Sequence, residues 1–512
     1  MDQTGEWYRY HHLFQELLRH KLRQEYSEHD LAALRTTAGS WLAENGYGKE
    51  ALDHFLAAGE VARAAEVVSR QRYALMNETQ WQQLSHLLGR FPPDAVSRIP
   101  DLLMLKSWLQ YHRGHNAELP ALLQQLDQAL TQATLRPAEI THLLGEMSAL
   151  RSLCAYLMVD PQSAIAAAQQ SIETTPKELW IVRVLARLCL AGALQMTGDL
   201  QAAYDVIYRS YAEDAAESGT LKSTVLVAAC SIYWVAADLH GLEQTADHAR
   251  ELSHHAMLPQ MQGWTHYNLG CVAFHRNDLA AAEHHFARVV QQPYLNYGDC
   301  YAHSACGLAL TYQAQDRPAD ANEIADAAVR FMLNTGNTSL LSVIEALQAE
   351  LALRQGRVSV AWQWADRFVT VPPLRPEFRF LAPHLTLAKV WLADDTGAGQ
   401  ARAAGLLAQL RTFFESTHNS RFLIEVLALQ ALQQRAPGQL VTDALADLER
   451  ALALAQPGRF VRLFVDLGSG MARLLADLRS ADGNERNTST RSWRPSPLPR
   501  LEPPGLTASR HS

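Results

Sequence analysis

Apolar positions recur at helical spacing along most of this chain, and they do so in paired segments. An apolar stretch, a short turn of Gly, Asn or Asp, and an Ala-rich stretch follow one another repeatedly. LAGALQMTGDLQAAYDVI (Leu190–Ile207) sets the form. LGCVAFHRNDLAAAEHHF (Leu269–Phe286), LALTYQAQDRPADANEIA (Leu308–Ala325) and AELALRQGRVSVAWQWA (Ala349–Ala365) repeat it. The turn residues Gly198, Gly241, Asn277, Asp316 and Gly356 stand 43, 36, 39 and 40 positions apart. Helical segments joined by tight turns at a nearly constant interval predict antiparallel hairpins stacked one on the next.

The clearest unit runs from Gly263 to Asn296. With Gly263 as position 1, Leu269 and Gly270 fall at 7 and 8, Ala282 at 20 and Phe286 at 24, and Pro293 closes the unit. These are the small and large positions of a tetratricopeptide (TPR) repeat. Small residues at 8 and 20 let two helices approach, and the large residue at 24 fills the space to the next hairpin. Weaker copies have turns near Gly59, Gly114, Asp160, Thr396 and Gly438. The expected fold is all-α, a TPR-like superhelix (α-solenoid) of hairpins over residues 46–478. Before it, Trp7–Tyr10 reads as a short aromatic strand, and His11–Gln24 as a helix with Leu13, Phe14, Leu17, Leu18 and Leu22 on one face. After it, residues 479–512 are rich in Pro, Arg and Ser and lack apolar periodicity, as expected of a disordered tail.

Composition narrows the chemistry. The 512 residues include 45 Lys and Arg against 53 Asp and Glu, a net charge of −8. Such a balance provides no basic footprint for nucleic acid or an anionic membrane. Six Cys with no C-x-x-C spacing argue against a disulfide scaffold and for a reduced, cytoplasmic setting. The most apolar run, Thr224–Ala237, has 14 residues, short of the roughly 20 that span a bilayer, and reads as a buried helix. Gly48-Lys49 is the only Gly-Lys pair, and Ala43 and Glu50 stand where a phosphate-binding loop needs Gly and a hydroxyl. Gly468-Ser469-Gly470 lacks the third Gly of a dinucleotide turn. The pairs His11-His12, His254-His255 and His284-His285 splay about 100° apart on a helix, which disfavours one shared metal. Cys300 and Cys306 read as small core residues. No catalytic constellation emerges, so the chain is read as a non-enzyme with no metal.

Binding is expected on the inner face of the stacked hairpins, at positions 2, 5, 9 and 12 of each unit. The best unit places Trp264, Tyr267, Cys271 and Phe274 there, and the next places His303, Cys306, Leu310 and Gln313. Asp238, Gln195 and Glu350 hold equivalent places in other units, and Trp108 and Tyr111 in a weaker one. An aromatic cluster flanked by amides and carboxylates suits a sugar, a peptide or another amphipathic ligand. The alternative is that Trp264 and Tyr267 pack between hairpins.

Two blocks carry a family resemblance. Trp7-Tyr8-Arg9-Tyr10-His11-His12-Leu13-Phe14, followed by Leu17-Leu18-Arg19, resembles the end of the winged-helix part of MalT-like, LuxR-type ATP-dependent transcriptional activators of the STAND class. Gly458-Arg459-Phe460-Val461-Arg462-Leu463-Phe464-Val465-Asp466, with Met471-Ala472-Arg473-Leu474-Leu475, resembles their last sensor hairpin. The resemblance implies that residues 1–45 end a winged-helix domain and that 46–478 form a sensor region. That region would bind a small-molecule inducer or protein partners and self-associate, inside a transcriptional regulator. The family's ATP belongs to an ATPase module and its promoter contacts to a helix-turn-helix. Neither motif occurs in this sequence, so no cofactor, direct nucleic-acid contact or membrane association is expected of it. The competing expectation is a free-standing TPR scaffold that binds peptides and has no link to transcription.

Overall fold

A computed structural model describes residues 12–213, 219–255, 258–369, 380–394, 397–434 and 441–485. The expected aromatic strand at Trp7–Tyr10, the turns at Thr396 and Gly438, and the tail beyond residue 485 lie outside them. Among the described residues every regular element is helical and none is a strand. Two compact units form, one from residues 1–150 with 173–183, the other from 151–172 with 184–512.

The first unit contains α1 (His12–Glu25), α2 (Glu28–Glu44), α3 (Gly48–Ala57), α4 (Val61–Asn77), α5 (Trp81–Leu88), α6 (Pro93–Arg98), α7 (Pro100–His112) and α8 (Leu119–Gln132). The chain continues into α9 (Pro137–Leu157), α10 (Pro161–Thr174) and α11 (Trp180–Met196). Helix α1 has the expected apolar face, and Leu13, Phe14, Leu17, Leu18 and Leu22 on it are exposed. At the centre of this unit Arg72 of α4 donates to both carboxylate oxygens of Glu146 at 2.7 Å, and Trp108 of α7 donates its indole N–H to the same carboxylate at 2.7 Å. All three side chains are fully buried. Trp108, an inner-face candidate by sequence, is thus a ligand of a structural ion pair that ties three helices together.

The second unit continues with α12 (Leu200–Glu213), α13 (Gly219–Val235), α14 (Leu239–His255), α15 (Pro259–His275), α16 (Leu279–Val290), α17 (Gly298–Ala314), α18 (Pro318–Thr335), α19 (Thr338–Arg354) and α20 (Val358–Ala365). Then come α21 (Pro383–Leu392), α22 (Gly397–Ser416), α23 (Ser420–Gln433), α24 (Val441–Ala455), α25 (Arg462–Val465) and α26 (Gly468–Glu485). Helix α26 runs past the boundary expected at 478. The apolar run at Thr224 lies in α13, whose residues from Val225 to Val235 are buried. No helix among the described residues is long and apolar enough to cross a membrane.

One corner makes the repeat. Val159, Gly198, Ala237, Asn277, Asp316 and Gly356 all have φ between 60° and 85°, the left-handed region that ends a helix. In each case the next residue sends its N–H back to a carbonyl five residues earlier, at 2.8–3.0 Å, from Asp160 to Ala155 through Arg357 to Ala352. Such a bond satisfies a carbonyl the helix end would leave open. In the first four corners that next residue is Asp160, Asp199, Asp238 or Asp278, whose carboxylate caps the following helix at 2.9–3.1 Å. The expected turn residue Gly241 lies instead inside α14, where a Cβ would meet the Tyr233 ring; Ala237 makes the corner. With that correction the corners stand 39, 39, 40, 39 and 40 residues apart.

Between hairpins the packing follows the repeat positions. Phe286 is fully buried, and its ring lies where a Cβ on Gly270 of its own hairpin or on Gly307 of the next would stand, at 2.6 and 2.4 Å. Ala282 at position 20 is likewise buried. Close approach by glycine on two helices thus holds one ring in place.

The corners differ in backbone strain, since a β-branched residue at positive φ is an outlier. Val159→Gly is expected to raise stability by about 1 kcal/mol and Gly356→Val to lower it by at least as much, read from urea unfolding. Asp278→Ala is expected to cost about 1 kcal/mol through the lost cap. Unchanged unfolding in all three would contradict this view of the corners.

Candidate functional site

The inner ends of the second unit's helices do not face an open groove. Residues 417–421 and 460–466 return to them. Gln195 on α11 donates to the carbonyls of Thr417 and His418 at 3.2 and 2.9 Å. Val461 donates its N–H to the His275 carbonyl at 2.7 Å, and Arg462 donates to Asn277 at 3.1 Å. What stays open is a cavity of about 450 Å³. Phe274 and His275 of α15, Glu350 and Arg354 of α19, Phe380, and Lys389 of α21 line it on one side. Arg421 and Glu425 of α23 and Leu463, Asp466 and Leu467 line the other.

The polar lining is a single row of alternating charges. Arg421 pairs with Glu425 at 3.2 Å, Glu425 with Lys389 at 3.0 Å, Lys389 with Glu350 at 3.1 Å, and Glu350 with Arg354 at 2.8 Å. Arg354 goes on to Asp466 at 2.9 Å, and Asp466 closes on Arg462. Thr386 adds a hydroxyl donor to Glu350 at 3.2 Å. Four helices, α19, α21, α23 and α25, are joined through these side chains. An isolated buried charge would be prohibitively costly, so each ion here depends on its neighbours.

The electrostatics follow from that pairing. Burial opposes ionisation of Glu425, yet the charges of Lys389 and Arg421 prevail and hold its carboxyl at about 2. Glu350 is likewise held below the usual carboxylate range by Lys389 and Arg354, against its burial. Burial disfavours the charged form of Lys389, but Glu350 and Glu425 raise its pKa. Burial, reinforced by Arg421, keeps the neighbouring His275 neutral. Its Nε2 faces Arg421 at 3.3 Å, and the Arg421 guanidinium lies 5.1 Å from the centre of the Trp234 ring and 5.9 Å from that of Phe460. Phe274 and Phe380 meet edge to face at 5.1 Å and give the cavity an aromatic wall.

Among the residues proposed from sequence, the structure brings three, Phe274, Leu310 and Glu350, to this cavity. Trp264 stacks edge to face on Tyr267 and packs against a buried cluster of Leu226, Val227, Ala249 and Met261. Tyr267 and His303 are buried near each other, with ring centres 6.3 Å apart. Gln313 accepts from Gln355 at 2.7 Å, Gln195 holds the 417–418 carbonyls, and Asp238 caps α14. Sequence reasoning missed Arg354, Lys389, Arg421, Glu425, Asp466 and Phe380. The available signal was a charge inside an apolar helix, as in PHLTLAKVWL and SRFLIEVLALQALQ, together with i,i+4 pairs of opposite sign at 350/354, 421/425 and 462/466.

A histidine cluster lies elsewhere in the unit. His266 Nδ1 and His285 Nδ1 are 3.0 Å apart, and the His284 ring is next to both. Burial first, then neighbouring His and Arg charges, push His266 and His285 down to about 4. Among the described residues no group of three or more His, Cys, Asp or Glu is arranged to hold a metal. Cys300 and Cys306 are fully buried.

Comparison with known proteins places this architecture. The family model of the MalT-like TPR region matches residues 145–481, and that of the MalT winged helix domain matches residues 1–30. An HTH-type transcriptional regulator MalT from Cronobacter sakazakii is 29% identical over 211 residues, 41% of this chain and 23% of that protein. The chain therefore aligns with less than a quarter of that relative's length. Among solved structures, yeast Tom70 is similar over 91% of this chain and 98% of its own, at 12% identity and a TM-score of 0.37. A human IFIT1 dimer with m7Gppp-AAAA is similar over 84% and 91%, also at 12% identity and 0.37.

The shifted groups give stability a pH profile. An unfolded imidazole takes up its proton near 6.5, whereas folded His266 and His285 do so near 4. Between those values the unfolded chain binds more protons, so their contribution is complete above about 6.5 and declines toward 4. The depressed carboxyls of Glu350 and Glu425 add a second loss below 4.5. Thermal midpoints from pH 8 to 4 are expected to start falling near 6.5, with a shallower slope for the His266→Gln, His285→Gln double variant. A profile flat to pH 4.5 would contradict the assignment.

Proposed function

Because the chain belongs to the family of MalT-like TPR regions, matched over residues 145–481, we propose that it is the effector-sensing and interaction region of a transcriptional regulator, and that a small inducer binds in the cavity between α15, α19, α21 and α23. The observation that carries this reading is the lining itself. Arg354, Lys389 and Arg421 stand against Glu350, Glu425 and Asp466, so the wall is charge-neutral in sum and already paired. A ligand with net charge would leave one charge of the row or its own uncompensated in a buried site. An uncharged, amphipathic molecule avoids that penalty. It would lay an apolar face on Phe274 and Phe380 and its hydroxyl or carbonyl groups along the charged row.

This reading assigns binding to the cavity and no catalytic step. Transcriptional context rests on the family and on the winged-helix match at residues 1–30, a segment for which a peptide-gripping scaffold would have no use. ATP and promoter contacts would belong to other parts of such a regulator. Protein partners and self-association, which this family's sensor regions suggest, would use the outer surfaces of the hairpins, where no single observation selects a face.

Titration of the whole chain with a panel of neutral oligosaccharides and amphipathic neutral molecules, beside their carboxylated analogues, tests the reading by calorimetry. Saturable binding of a neutral member at one site per chain is expected. Phe380→Ala should weaken it about tenfold or more, whereas Trp264→Ala, outside the cavity, should leave it unchanged. Glu350→Gln leaves the lining net positive and should shift preference toward the carboxylated analogues. Tighter binding of anions by the unaltered protein, or sensitivity to Trp264 in place of Phe380, would contradict the cavity assignment.

A further inference from the structure

One wall of the cavity differs from the rest. It is not a long helix of a hairpin but an eight-residue strap, Phe460–Leu467, that contains the four-residue α25. Its two ends are marked by backbone in the left-handed region, Arg459 at φ 59° and Gly468 at φ 69°. Around Gly468 there is open space, with no atom within 4 Å of where a Cβ would stand. A short segment between two such points can swing with small changes in a few dihedrals, without unwinding a neighbouring helix.

The strap is held by a few polar contacts and by its own buried Phe460, Leu463 and Phe464, the Phe460 ring lying 5.1 Å from that of His275. Val461 donates to the His275 carbonyl, Arg462 to Asn277, and Asp466 accepts from Arg354. Its inner face gives Leu463, Asp466 and Leu467 to the cavity. Its outer edge is another matter: Val461 and Val465 are 43% and 50% exposed, and with Phe464, Leu452, Ala472 and Leu475 they line an apolar groove on the opposite side. The same eight residues therefore wall an internal cavity and shape an external surface. Every other charged side chain of the cavity row sits on a helix packed into a hairpin.

We propose that residues 460–467 are a hinged gate on the cavity, latched by Asp466 to Arg354, and that its opening is the step that links the cavity to the outer surface beside α26. The proposal rests on the reading of the cavity as a binding site, and it adds how that site opens and what moves when it does. In the closed position Asp466 completes the charge row; when the gate swings out, Arg354 retains Glu350 as its partner, so the row survives with one end removed. Loss of Leu463 and Leu467 from the wall then widens the opening to the cavity. The apolar groove, built partly on the gate, changes shape in the same movement.

The test uses the full chain with no ligand, so its result does not depend on whether any inducer binds. Ala382, which lines the cavity and is buried, is replaced by Cys and labelled with a fluorescein maleimide, a bulky probe. Peptide mapping reads position 382 beside the native Cys271, Cys300 and Cys306, which are fully buried and do not line the cavity. Asp466→Asn is expected to speed labelling at 382 at least tenfold while the three native cysteines keep their rates. Hydrogen exchange of the Val461 amide in Asp466→Asn alone, with Ala382 intact, should rise in parallel and guards against a folding defect of the labelled variant. Labelling at 382 unaffected by Asp466→Asn, or raised only in step with the native cysteines, would overturn the gate.

Discussion

Seven charges in one buried row remain charged only together. Each ion from Arg421 to Arg462 would carry an uncompensated desolvation cost if its neighbours were removed, because all seven side chains are largely buried. That constraint explains why α19, α21, α23 and α25, which belong to successive hairpins, converge on one point. It also explains why a cavity survives there. Paired ions need room and fixed geometry, and side chains of this length cannot interdigitate as tightly as Leu or Phe.

The hairpin array makes the convergence possible. A corner repeated every 39 or 40 residues gives each hairpin nearly the same offset from the last, so curvature accumulates steadily. Within the second unit it brings residues 417–421 and 460–466 back against the ends of α11, α13 and α15, as Gln195, His275 and Asn277 show by their hydrogen bonds. The inner face is therefore occupied largely by the chain itself. Side chains expected to grip a ligand, such as Tyr267 and His303, fill the core, and Gln195 and Asp238 hold backbone in place.

The repeat was legible because its determinants are local. Apolar periodicity, turn residues and the Gly270, Ala282 and Phe286 positions all act within one or two hairpins, and Phe286 packs as the pattern implied. The Ala237 corner was hidden because Ala has no intrinsic left-handed preference; the Asp238 N–H bond to Tyr233 imposes it, and a nearby Gly241 drew the eye instead. Of the site, Phe274, Leu310 and Glu350 could be placed as inward-facing residues. The distant partners could not, since Lys389 reaches Glu350, and Asp466 reaches Arg354, through packing between hairpins far apart in sequence. Lone charges in apolar helices were the trace they left.

The account stands on mutual dependence among the buried ions, and a double-mutant cycle on Arg421→Met and Glu425→Gln measures it most directly. The pair sits at one end of the row, so removing both leaves Lys389, Glu350, Arg354 and Asp466 matched. Removing Glu425 alone strands Arg421 among Trp234, His275 and Phe460. The expected unfolding free energies are non-additive by about 2 kcal/mol, with the double variant less damaged than the sum of the single ones. Additive losses would mean that these charges act independently and that something else holds the cavity open.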